Sequence, residues 1–329
     1  MRLMLHAISM AVCLIASTFV SAEPIPAAPT AASTPSSILD KPQAGYYRLK
    51  IGAASVIALS DGTLAFPADE LLLNAKPGEI HRLLNEAFDP TPLASVNTYL
   101  VCLPGKLILV DTGAETLLGP TLGKLPGSLK AAGVKPADIT DIFLTHIHPD
   151  HAGGLMIGDQ KAFPNALVHV EKAELDYWLD KAAAKSAAGV IKPFFAQAEL
   201  KMTPYLRDGQ VKAFHGATQF FPGFRSLPAY GHTPGHTYYI LESAGQKLVF
   251  MGDTTHMMDI QFSDPGVAVK FDSDPGRAVA QRRLEFAAAA QGKYLLAFAH
   301  VSFPGVGHLR QDGDRFIWVP VRYVDDAIQ

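Results

Sequence analysis

The stretch Thr145-His146-Ile147-His148-Pro149-Asp150-His151 decides the reading of this 329-residue chain. It follows Ile139 to Thr145, an apolar run that reads as a buried strand. Side chains alternate on an extended segment, so His146 and His148 fall on one side of it. Asp150 and His151 come as the chain turns and can face a second point nearby. Neutral imidazole and carboxylate are the natural ligands of zinc and similar divalent ions. One histidine alone would read as a satisfied core or surface residue; this density after a buried strand reads as a metal centre.

Working outward, other ligand types stand at strand ends or in rigid turns. Gly231-His232-Thr233-Pro234-Gly235-His236 is a glycine-flanked turn holding a pair of histidines. Lys247 to Met251 reads as a strand that delivers Asp253, and Phe298-Ala299-His300 delivers an imidazole. Lys106 to Val110 is a short apolar strand that ends in Asp111-Thr112-Gly113. Val56 to Leu59 reads as a strand closed by a turn at Ser60-Asp61-Gly62, and Leu122 to Ala132 as a helix. Pro275 to Gln291 reads as a helix with Asp274 as N-cap and Gly292 as its stop. Interleaved strands and helices predict an α/β layered architecture, and no linker after residue 45 divides it.

Taken in order, His146, His148, Asp150, His151, His232, Asp253 and His300 resemble the ligand pattern of the metallo-β-lactamase superfamily. The resemblance runs from about residue 45 to the C-terminus. It implies a four-layer αββα sandwich and a single catalytic domain over 45–329, with two divalent ions per chain. Zinc is the first expectation for these, with manganese, cobalt and iron as alternatives. By resemblance, His146, His148 and His232 hold one ion, and Asp150, His151 and His300 the other. Asp253 bridges them, so Asp150 and Asp253 carry the catalytic role. Asp111 matches the first family motif and is expected to orient a histidine, with His236 in a similar or turn-stabilising role. Within the superfamily the chain is most similar to the branch of methyl parathion hydrolase and its lactone- and arylester-cleaving relatives. The stretches that carry this include Leu59-Ser60-Asp61-Gly62-Thr63, Phe271-Asp272-Ser273-Asp274 and His300-Val301-Ser302-Phe303-Pro304-Gly305.

That branch implies an aromatic pocket wall from Trp178 and Phe195, with Phe194 a weaker member. Leu118, His256 and Phe271 depart from its organophosphate-cleaving members. His256 either lines the pocket or sits in a solvated loop; if it and Phe271 face the metals, they favour flat lactones and aryl esters. The expected reaction is hydrolysis by a metal-activated water, with phosphotriesters as a slower side reaction. A primary organophosphorus hydrolase is the alternative. A thioesterase, a β-lactamase, a redox di-iron enzyme and a non-catalytic metal module are weaker rivals.

Composition sets the remaining bounds. A formal net charge of −3 gives no basic excess for nucleic acid and no reason to seek an anionic membrane. Arg2, an apolar run from Ala7 to Val20, and Val20-Ser21-Ala22 have the layout of a secretory signal, so residues 1–22 are expected to be removed on export to the periplasm or medium. Residues 23–44, rich in Pro and Ala, read as a flexible lead-in. Loss of Cys13 with the signal leaves Cys102, which reads as a small core residue with no disulfide partner. The expected partner is a small ester, lactone or phosphotriester; a homodimer is implied by resemblance alone.

Overall fold

The computed structural model describes residues 43–324, so the expected signal and nearly all of the lead-in lie outside the described residues. One seven-stranded sheet contains, in spatial and chain order, β1 (Tyr46–Ile51), β2 (Ala54–Ala65), β3 (Leu93–Leu103), β4 (Lys106–Val110), β5 (Asp141–Phe143), β6 (Leu167–Glu171) and β7 (Val211–Phe214). The first four pair antiparallel, and β4 to β7 pair parallel. A second seven-stranded sheet runs β8 (Gln219–Phe221), β9 (Phe224–Pro228), β10 (Thr237–Ser243), β11 (Gln246–Phe250), β12 (Leu295–Ala297), β13 (Val306–Asp312) and β14 (Arg315–Pro320). There β11 and β12 are parallel and their neighbours antiparallel.

Strand alternation explains the layers. In β4, Ile108 and Val110 enter a core shared with Phe224, Tyr239 and Phe250 of the second sheet. Leu109 points the opposite way, into a core with Leu129 of helix α1 (Leu125–Ala131). The short helix α2 (Pro149–Ala152), α3 (Lys172–Trp178) and α4 (Lys192–Arg207) also contribute to that outer core through Ala152, Trp178, Met202 and Tyr205. On the far side, Val249 and Leu296 pack with Phe286 and Ala289 of α5 (Pro275–Gly292). Both sheets are therefore buried on both faces, giving helix, sheet, sheet and helix in succession. Each fully buried aliphatic or aromatic side chain contributes about 1.5–3 kcal/mol.

Several local expectations shift. The chain does not turn at Ser60-Asp61-Gly62; β2 continues through a bulge there to Ala65. The buried Asp61 carboxylate draws loop 113–125 onto the bulge, accepting N–H bonds from Ala114 (2.8 Å) and Leu125 (2.9 Å). Gly62 has φ +127, and a Cβ there would sit 2.2 Å from the Thr121 carbonyl oxygen. The helix expected over 122–132 starts only at Leu125, because Asp61 holds the preceding turn. The strand expected over 139–145 is regular only at Asp141–Phe143, although Ile139, Leu144 and Thr145 beside it are buried. At α5, Asp274 caps the Arg277 N–H at 3.0 Å, and Lys293 rather than Gly292 takes the left-handed stop. Cys102 is half-buried and free, and burial pushes its thiol up. No helix among the described residues is long and apolar enough to cross a membrane.

Candidate metal centre

Parallel strands bring their C-terminal ends to one side of a sheet, and loops leaving those ends carry the polar residues here. Asp111 follows β4, the His146–His151 stretch follows β5, Asp253 follows β11 and His300 follows β12. His232 enters on the connection between β9 and β10. The result is a buried cluster of imidazoles around one carboxylate, with His146, His148, His151, His232, Asp253 and His300 all at most 4% exposed.

Asp253 faces both ways. Its Oδ2 lies 3.2 Å from His232 Nε2 and 3.6 Å from His146 Nε2, while Oδ1 lies 2.9 Å from His151 Nε2 and 3.0 Å from His300 Nε2. His148 Nδ1 is 3.1 Å from His232 Nε2, and Asp150 Oδ2 is 3.4 Å from His300 Nε2. Two donor sets result: His146, His148, His232 and Asp253, and Asp150, His151, His300 and Asp253, each with its ligand atoms within 4.8 Å of one another. His146 Nε2, His151 Nε2 and Asp253 Oδ1 are buried without hydrogen-bond partners. They lie close to one another without forming hydrogen bonds, as the ligand atoms of a shared ion would. An unsatisfied buried group costs about 1–3 kcal/mol, so a cluster of them is accounted for by cations that these atoms would hold. Nitrogen and oxygen donors of this kind suit zinc and its first-row neighbours.

Further groups orient the rings. Asp111 Oδ2 lies 2.8 Å from His151 Nδ1 and accepts from the Thr145 hydroxyl at 2.8 Å; Thr145 Oγ1 is in turn 3.0 Å from His146 Nδ1. This chain of bonds leaves Nε2 of both histidines as the lone-pair nitrogen. Asp111 takes the left-handed conformation, φ +60, which aspartate tolerates better than most residues. His236 accepts the Asp253 N–H on Nε2 at 3.0 Å and places Nδ1 3.1 Å from the Ala229 carbonyl, so it fixes the backbone of the residue that the two donor sets share. Burial holds His236 down at about 3, which keeps it neutral. Asp272 Oδ1 lies 2.8 Å from His232 Nδ1, a carboxylate–histidine pair that the sequence reading passes over. Glu174 is a second omission, fully buried beside Trp178.

Electrostatics separate the histidines. Burial, then neighbouring imidazoles, holds His146 and His148 well below the ordinary range. At His151 burial acts in the same direction, but Asp253, Asp111 and Asp150 outweigh it and raise the group. Asp253 is buried too, yet His151, His300 and His146 hold it well below the carboxylate range.

A sequence model for the metallo-beta-lactamase superfamily matches residues 91–315. The chain belongs to the metallo-β-lactamase superfamily. Among solved structures it is similar to the hydrolase AbOPH of the beta lactamase superfamily, at 32% identity and TM-score 0.82 over 87% of this chain and 100% of that one. It is also similar to AidC, a dizinc quorum-quenching lactonase solved with the product N-hexanoyl-L-homoserine, at 27% identity and TM-score 0.79 over 85% and 99% of the two chains. An N-acyl homoserine lactonase from Bacillus cereus is 28% identical over 146 residues, 44% of this chain and 50% of that protein. The chain thus spans half the length of that relative.

Beside the candidate metal centre of this superfamily member lies a cavity of about 70 Å³. Its polar lining is His148, Asp150, Asp253, His256 and His300; Leu64, Phe66, Leu71, Ala94, Leu118, Phe194 and Phe271 form the rest. His256 is not in a solvated loop: it is 4% exposed, with Nε2 3.1 Å from Asp253 Oδ2 and its ring stacked on His300 at 5.3 Å. The expected aromatic wall is rearranged. Trp178 and Phe195 are buried in the outer core and do not line the cavity; Phe194 does. Trp178 backs His148 edge-on at 5.1 Å, because its indole N–H turns to Glu174. His308 sits away on β13, with Nδ1 3.2 Å from the Tyr294 carbonyl.

Proposed function

We propose that the protein is a two-metal hydrolase of lactones and aryl esters, with phosphotriesters as slower substrates. The observation that carries this is the orientation of Asp253, whose two oxygens serve two donor sets at the floor of an apolar cavity. Two divalent ions held by His146, His148 and His232 and by Asp150, His151 and His300, with Asp253 shared, would supply a nucleophile from water near neutral pH and polarise the bond under attack. The superfamily membership and the lactonase names among the relatives support the same class.

The chain's own residues set the rest. Phe194, Phe271, Leu64 and Leu118 exclude water and bind an apolar body against the metal end. Asp111 and Asp272 hold His151 and His232 in fixed orientation, so the ligands need no rearrangement. Every polar side chain of the lining belongs to a donor set or, in His256, lies 3.1 Å from Asp253, so the wall further out offers an amide no side-chain partner. Burying an unpaired amide costs about 1–3 kcal/mol in proteins, so a simple aromatic lactone fits better than an N-acyl homoserine lactone. His256 and Phe271 also restrict the room for the three substituents of a tetrahedral phosphotriester. The test is a panel of kcat/KM values on purified protein over dihydrocoumarin, phenyl acetate, N-hexanoyl homoserine lactone and methyl parathion. The first two should lead by about tenfold or more; a methyl parathion value above both would overturn the reading.

A further inference from the structure

Glu174 carries a formal charge with no exposure, and the reaction described above makes no use of it. It lies in the first turn of α3, and its carboxylate meets three donors. Oε2 accepts the Ile147 N–H at 3.0 Å and the Trp178 indole N–H at 2.8 Å; Oε1 accepts the Gly235 N–H at 2.7 Å. Ile147 is the residue between His146 and His148, and Gly235 belongs to the turn that carries His232. These bonds therefore join the backbone segments of all three histidines in one donor set, and none reaches Asp150, His151 or His300. The fit is close: a Cβ on Gly235 would stand 2.9 Å from Glu174 N and 3.0 Å from Glu174 Cγ.

We propose that Glu174 is a positioning residue that sets the His146–His148–His232 site selectively, by tying the segment between two of its ligands to the turn that bears the third. All its partners are donors, so only an acceptor on both oxygens completes the arrangement. Glutamine keeps the shape but turns an NH2 towards either Gly235 N–H or the Ile147 and Trp178 pair. Groups that orient metal ligands typically change metal affinity about 10–100-fold when altered. The inference rests on the two-metal reading, and its test uses zinc binding rather than turnover so that the two can fail separately.

The experiment is zinc competition against a chromophoric chelator, with circular dichroism as the check on folding. Glu174→Gln is placed in two backgrounds: His300→Ala, which leaves the first donor set complete, and His232→Ala, which leaves the second. Zinc affinity should fall at least tenfold in the first background and change no more than about threefold in the second. Equal loss in both, or no loss in the first, would overturn the inference. If Glu174→Gln does not fold, Glu174→Asp replaces it, since the shorter side chain draws the carboxylate back from the same donors, and the same asymmetry is required. A parent protein that binds fewer than two zinc ions would remove the two-metal reading, and this inference with it.

Discussion

His256 shows how far a single residue can be read. The sequence leaves it between a pocket and a solvated loop, because three positions after the expected bridging Asp253 does not fix a direction. The structure buries it between His300, His232 and Phe271, with ring centroids 5.3, 5.0 and 6.1 Å away. Leucine at this position removes a rigid ring from the mouth of the centre without removing any of the seven expected ligands. His256→Leu should therefore shift the kcat/KM ratio towards phosphotriesters by about tenfold, about 1.4 kcal/mol in relative transition-state stabilisation. Metal content should not change. Measuring both substrate classes in parent and variant decides it, and an unmoved ratio would show that the ring does not shape the pocket. Asp272 and Glu174 were less legible for a different reason. Each lies outside the dense His/Asp stretches, and only the fold brings Asp272 to His232, forty positions away in the chain.

At the scale of elements, strands such as Lys106–Val110 were legible from apolar runs, whereas strand ends and bulges were not. The continuation of β2 past Asp61 depends on N–H donors from residues 114 to 125, which no local pattern announces. The opposite end of the parallel strands is held by another carboxylate that local sequence does not reveal. Asp141, at the start of β5, lies 2.8 Å from His169 Nε2 on β6 and accepts from Lys106 Nζ on β4 at 2.7 Å. Burial would raise its carboxyl, but bonds from His169, Lys106 and Thr140 outweigh that and bring it down to about 2. The native value lies below the unfolded one of about 3.9, so this stabilisation is complete above pH 4 and is lost as pH falls towards 2. Lys106 is partly solvated, and screening reduces the contribution to about 1–2 kcal/mol. Asp141→Asn should lower stability by that amount at pH 7, with the gap to the parent closing below pH 4 in urea unfolding. A gap that stays constant with pH would assign the loss to packing instead.

For the whole molecule, the layered α/β architecture followed from interleaved strand and helix signals, and the superfamily from the ordered ligand types. The pocket did not follow as well. Phe194 rather than Trp178 faces the cavity because the Trp178 indole N–H is drawn to Glu174, one helical turn earlier, a partner that aromatic spacing alone does not show. Leu64, Phe66, Leu71 and Ala94 reach the same cavity from segments far from any ligand motif. All these parts converge on two donor sets sharing Asp253, so turnover should require two ions. The direct measurement is dihydrocoumarin hydrolysis by metal-stripped protein as zinc is added in known equivalents. Activity should rise until about two equivalents per chain are bound and then level off. Full activity at one equivalent or fewer would contradict the two-metal centre.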